Sequence, residues 1–90
     1  MNHEQHSQIT LEILIEELLC NREVELTLEE VLYFIEPKSS CHDVQQFVVW
    51  EVSSHTRVFQ GNLQDLLLYS FPNNKSLANH FSSFEILYIY

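Results

Sequence analysis

From Leu11 the apolar residues recur at Leu11, Leu14, Ile15, Leu18 and Leu19, while Glu12, Glu16 and Glu17 fill the remaining arc. This is the period of an amphipathic helix, and it predicts a first helix over residues 9–20. Ile13 falls off the stripe, which points to burial on more than one side. Upstream, "MNHEQHS" has no period, so residues 1–8 read as a flexible arm and residues 9–90 as a single domain.

"CNREVEL" interrupts the pattern, and Thr27 has the chemistry to restart it. Its hydroxyl can cap the amide of Glu30 while Glu30 reaches back, and Leu26 can pack on Val31 as a hydrophobic staple. Leu28, Val31, Leu32 and Ile35 then share one face, and Pro37 closes a second predicted helix over 28–36. The two helices are expected to form an antiparallel pair.

After the loop "PKSSCHD", the runs "QQFVVWEV" and "TRVFQ" flank the polar break Ser53, Ser54, His55 and predict a β-hairpin. Neither face of its first strand is plainly polar, so that strand is expected to be covered on both sides. Asn62 is a natural N-cap for a third helix carrying Leu63, Leu66, Leu67 and Phe71 inward, with Asp65 favourable in its first turn. "FPNNKS" ends that helix, a short helical turn is expected around Leu77 to Phe81, and "FEILYIY" reads as a closing strand. So apolar a strand should sit within the sheet or pair with another chain, because an uncovered edge of this kind invites aggregation.

The expected fold class is therefore α+β, in the order α, α, β, β, α, β. Its sheet is small, three-stranded and antiparallel or mixed, made of the hairpin plus the C-terminal strand, with about three helices mainly on one face.

Charge changes the functional picture. Thirteen acids stand against four bases, for a formal charge of -9, which opposes binding to a phosphate backbone or an anionic membrane. No run reaches the ~18 to 20 apolar residues of a membrane span and no signal-peptide pattern opens the chain, so a cytoplasmic protein is expected. In that setting Cys20 and Cys41 should be thiols. Residues 1–36 hold nine acids and one base, so almost all of the net charge lies in the predicted helical half.

Helix dipoles account for Glu12, Glu29 and Glu30 near predicted N-termini but not for Glu16, Glu17 or Glu36 near C-terminal ends, where a carboxylate is disfavoured. Carboxylates one helical turn apart are spaced about 6 Å, of the same order as backbone phosphates. Plain solvation of an apolar-rich protein explains the acids equally well.

Catalytic and ligand signatures are weak. His3 with His6 and Cys41 with His42 lack the spacing of a structural zinc site, and no metal or cofactor is expected. Cys41, His42 and Asp43 are consecutive, and consecutive side chains diverge where a triad must converge. One glycine in the whole chain excludes glycine-rich phosphate cradles. Adjacent glutamates such as Glu16 and Glu17, or Glu29 and Glu30, are typical of solvated faces, and an enzyme is not expected.

What remains is a non-enzymatic protein-binding module. The expected role is an adaptor or inhibitor acting through an acidic helical face, of the kind a nucleic-acid mimic, an immunity protein or a phage-type regulator would use. Its partner-binding residues would be Glu12, Glu16, Glu17, Glu29, Glu30 and Glu36, joined by Trp50, Tyr88 and Tyr90 as strand aromatics. The expected partner is a protein, with basic or nucleic-acid-binding proteins as the candidates. The rival expectation is a structural or assembly module that self-associates through an aromatic sheet face, with a homodimer closing any open side.

Overall fold

The computed structural model describes residues 9–38 and 45–90. One α-helix, α1 (Leu11–Leu19), leads into two consecutive hairpins, β1 (Val24–Leu28) with β2 (Val31–Lys38) and β3 (Gln46–Glu51) with β4 (Thr56–Gly61). Two short helices follow, α2 (Leu63–Leu68) and α3 (Leu77–His80), and β5 (Phe84–Ile89) completes a sheet of order β4-β3-β2-β1-β5. Every neighbouring pair is antiparallel. The class is α+β with three helices, as expected, but the sheet has five strands rather than three.

The difference lies in residues 24–38, where a hairpin replaces the predicted second helix. Val24, Leu26 and Leu28 are buried and alternate with half-buried Glu25 and Thr27, a period of two that places one apolar row against the core. Tyr33 and Ile35 continue that row on β2, in register with Leu26 and Val24. The connection is the two-residue turn Glu29–Glu30, with φ of 52° and 71°. Left-handed conformation at both central residues matches the twist of a hairpin, yet it is ordinarily supplied by Asn-Gly. Thr27 and Glu30, read as a capping pair, are a strand residue and a turn residue.

Elsewhere the caps agree with local chemistry, although α2 ends at Leu68 and Phe71, expected on that helix, lies beyond it. Thr10 caps α1 by accepting from the Ile13 amide at 3.2 Å. Asn62 caps α2 by accepting from the Asp65 amide at 2.8 Å, and Ser76 caps α3 through the Asn79 amide. Of the α1 stripe, Leu14 and Leu18 are fully buried, whereas Leu19 is half exposed and Ile13, expected to be buried too, is 40% exposed.

All three helices contribute to a single core that covers one face of the sheet, with Leu14, Leu18, Leu66 and Leu77 against Val24, Leu26, Ile35, Phe47, Val49 and Ile86. At its centre lies Phe71, which meets Tyr33, Tyr69 and Phe84 edge to face at ring separations of 5.0, 4.8 and 5.1 Å. Phe71 also exchanges two backbone hydrogen bonds with Lys75, closing a small loop whose Asn73 amide donates to the Glu29 carboxylate. On β3 Phe47, Val48 and Val49 are all buried, but only the face carrying Phe47 and Val49 lies against the helices.

The last strand does not sit inside the sheet: β5 is an edge strand, with β1 as its neighbour. Both edge strands are irregular. Leu87 is an extra residue on β5, since Glu25 pairs with Tyr88 and Leu26 with Ile86. Val58 is likewise extra on β4, since Val49 pairs with Phe59 and Trp50 with Arg57. Each is a β-bulge, which reverses the inward and outward alternation of its strand.

Candidate functional site

On the face of the sheet away from the helices, register alone assembles a row across all five strands. Arg57 pairs with Trp50, Trp50 with Phe34, Phe34 with Glu25, and Glu25 with Tyr88. Directly opposed residues share a face, and at about 4.8 Å per strand the row is about 19 Å long. Two of its five members are there because of the bulges. With regular alternation Val58 would lie opposite Trp50 and Leu87 opposite Glu25. The bulges substitute a cation at one end and a phenol at the other.

The middle of the row is the floor of a groove of about 420 Å³ lined by Glu25, Phe34, Glu36, Trp50, Val52 and His55. Phe34 and Trp50 are only half-buried. The Trp50 indole Nε1–H donates to Glu36 Oε1 at 3.0 Å. Glu36 is paired with Val48, two residues before Trp50, so reaching it leans the indole along β3 over Val48. That accounts for the 4% exposure of Val48 on a face no described helix covers.

The other wall is fixed from the β5 side. Tyr90 donates its phenol hydrogen to Glu25 Oε1 at 2.9 Å, stacks on Tyr88 with centroids 5.9 Å apart, and meets Phe34 edge to face at 6.2 Å. Its backbone is held by Glu23, whose carbonyl accepts the Tyr90 amide at 2.8 Å. Hydrogen bonding to the Glu25 carboxylate, more than desolvation, lifts the Tyr90 phenol above the ordinary tyrosine pKa. Tyr88 and Tyr90 remain 52% and 58% exposed.

The residues expected to bind a partner thus fall into three places. Glu36, Trp50, Tyr88 and Tyr90 converge on the open sheet face. Glu12, Glu16 and Glu17 lie on α1, in the helical layer behind the sheet, and Glu17 is bound to Arg22 at 3.0 Å. Glu29 and Glu30 occupy the tip of the first hairpin. No continuous acidic helical face unites them, because the second helix is a hairpin. Sequence reasoning missed Glu25 and Phe34, whose signal was the alternation of "VELTL" and the unbroken apolar run that follows it.

Among the described residues no three histidine, cysteine, aspartate or glutamate side chains form a group that could hold a metal ion, and no helix is long and apolar enough to cross a membrane. His3, His6, Cys41, His42 and Asp43 lie outside the described residues, as does the predicted arm. Cys20 is an exposed free thiol. Glu51 accepts from both Ser53 and Ser54 in the turn between β3 and β4, and these bonds hold its carboxyl below the usual glutamate range. An exposed carboxylate with its oxygens occupied by neighbouring hydroxyls is a turn device, and it presents no activated nucleophile.

Compared with known proteins, the chain matches no family model, no curated protein and no solved structure.

Proposed function

We propose that this protein is a non-enzymatic protein-binding module, an adaptor or inhibitor, whose working surface is the open face of the sheet. The observation that carries this reading is the groove itself, where the partly exposed rings of Phe34 and Trp50 lie beside the carboxylates of Glu25 and Glu36. Aromatic side chains with one apolar face and a fixed polar contact are the usual anchors of protein interfaces. The α1 acids are secondary in this reading, as a solubilising layer on the far side. A cytoplasmic setting suits the exposed Cys20 thiol.

A second reading rests on the stacked, half-exposed Tyr88 and Tyr90, which could instead be the contact of a self-assembling module. Affinity capture from the native host separates the two. Tagged wild-type protein is compared with Trp50→Phe/Tyr88→Ala and with Glu12→Lys/Glu16→Lys, each first checked for native circular dichroism. A partner lost only with the sheet variant supports the proposal. One lost only with the helix variant moves the site to α1, and recovery of nothing but copies of the chain favours assembly.

A further inference from the structure

We infer that the groove receives an arginine side chain from a basic polypeptide segment, its guanidinium lying on the Trp50 and Phe34 rings and paired with Glu25 and Glu36. This rests on the sheet-face reading above and names the chemistry of its partner. A planar, weakly hydrated cation is attracted by the face of an aromatic ring, most strongly that of tryptophan. Its five N–H donors also match carboxylate oxygens, which an apolar anchor would leave unpaired in a covered groove.

The carboxylates are already aimed. Glu25 is held by Tyr90 and Glu36 by Trp50, in each case through Oε1. Among the described residues the second oxygen of each accepts no side-chain hydrogen bond, so both remain available to an incoming donor. Fixing two glutamates on rigid strands beforehand lowers the ordering cost of binding. Among the described residues neither carboxylate is in an ion pair with a lysine or arginine: the one such pair joins Arg22 to Glu17, and Arg57 donates from Nη1 to Gln60 at 2.9 Å.

Charge also selects among occupants. A second copy laid face to face would bring another chain of charge -9 against this one, doubling Glu25 and Glu36 within the contact. Nucleic acid is repelled for the same reason. Arg57, the cross-strand neighbour of Trp50, gives the site a polarity: the incoming basic residue sits towards Phe34, Glu25 and Glu36, and an acidic or neutral one towards β4.

The test is a nuclear magnetic resonance titration of the full 90-residue protein with acetyl-Ala-Arg-Ala-Arg-Ala-amide, alongside versions carrying lysine or uncharged citrulline in place of arginine. The expected result is a saturable shift of the Trp50 indole and of the Phe34 and Glu25 amides with the arginine peptide. Binding should weaken roughly three- to tenfold in Glu36→Gln or Glu25→Gln, whose amide oxygens still accept from Trp50 or Tyr90, and should fall with added salt.

Equal binding of the citrulline peptide at the same resonances overturns the arginine assignment and leaves the sheet-face reading standing. Equal binding of the lysine peptide overturns the guanidinium specificity. If none of the three peptides moves these resonances, the arginine inference fails. If Trp50→Phe/Tyr88→Ala also leaves partner capture intact, the sheet-face reading fails with it.

Discussion

Trp50 Nε1 and Glu36 Oε1 lie 3.0 Å apart across two strands, and this bond sets where the indole rests on the open face. Trp50→Phe keeps an aromatic ring but removes the donor, and should lower the free energy of unfolding by about 1 kcal/mol. Glu36→Gln should change it by less, since the amide oxygen remains an acceptor. Urea denaturation followed by circular dichroism measures both. A larger loss for Glu36→Gln than for Trp50→Phe would mean that the carboxylate's charge, and not the hydrogen bond, holds the indole.

The turn at Glu29 and Glu30 carries backbone strain, because a side chain in the left-handed region costs roughly 1 to 2 kcal/mol that glycine avoids. Glu30→Gly should therefore stabilise the protein by about 1 kcal/mol and raise Tm by roughly 4 to 8 °C. The Asn73 contact to Glu29 is untouched by this change. A calorimetric scan showing a lower Tm would contradict the turn geometry described above.

Phe71, 1% exposed, joins the helical layer to β2 and β5 through three edge-to-face contacts. Phe71→Ala should cost about 3 to 5 kcal/mol, a large share of the ~5 to 15 kcal/mol that stabilises a domain. Phe71→Leu should cost less than half of that, because most of the volume is kept. Nearly equal losses in chemical denaturation would show that the aromatic contacts outweigh the volume.

Alkaline titration should reveal Tyr90. Its folded pKa is raised, so the stabilising bond to Glu25 is complete below the pKa of an unfolded-chain tyrosine and is lost as pH rises through the folded value. Tyrosinate absorbance should show a late-titrating group that disappears in Tyr90→Phe and moves to lower pH in Glu25→Ala. Tyr33 will also titrate late, chiefly from desolvation by burial, and should be unaffected by either change.

Much of the fold was legible where one residue type has one local use. Asn62 as a cap, Gly61 ending β4, and the Val-rich β3 follow from chemistry a single position carries. Residues 24–38 were not legible, because "VELTLEEVLYFIEP" satisfies both a capped helix and a strand pair. What decides is tertiary: only as strands can Val24, Leu26, Tyr33 and Ile35 all face α1 and Phe71. The turn gave no warning, since two glutamates stand where Asn-Gly would announce a hairpin.

The candidate site was half legible for the same reason. Trp50, Tyr88 and Tyr90 declare themselves as strand aromatics, and Glu36 joins them only once β2 is a strand. Glu25 and Phe34 enter through register, and Arg57 and Tyr88 through bulges whose positions no local motif marks.

Those two bulges also bear on what the outer edges of the sheet offer to another strand. At each outer edge the extra residue, Val58 on β4 or Leu87 on β5, breaks the even spacing of backbone donors and acceptors. A regularly paired foreign strand can therefore follow only one part of either edge before its hydrogen-bond ladder falls out of step. Deleting Leu87 would remove the interruption on β5 and leave that edge with an unbroken backbone register. The molecule would then carry an open seam along which a second copy could pair.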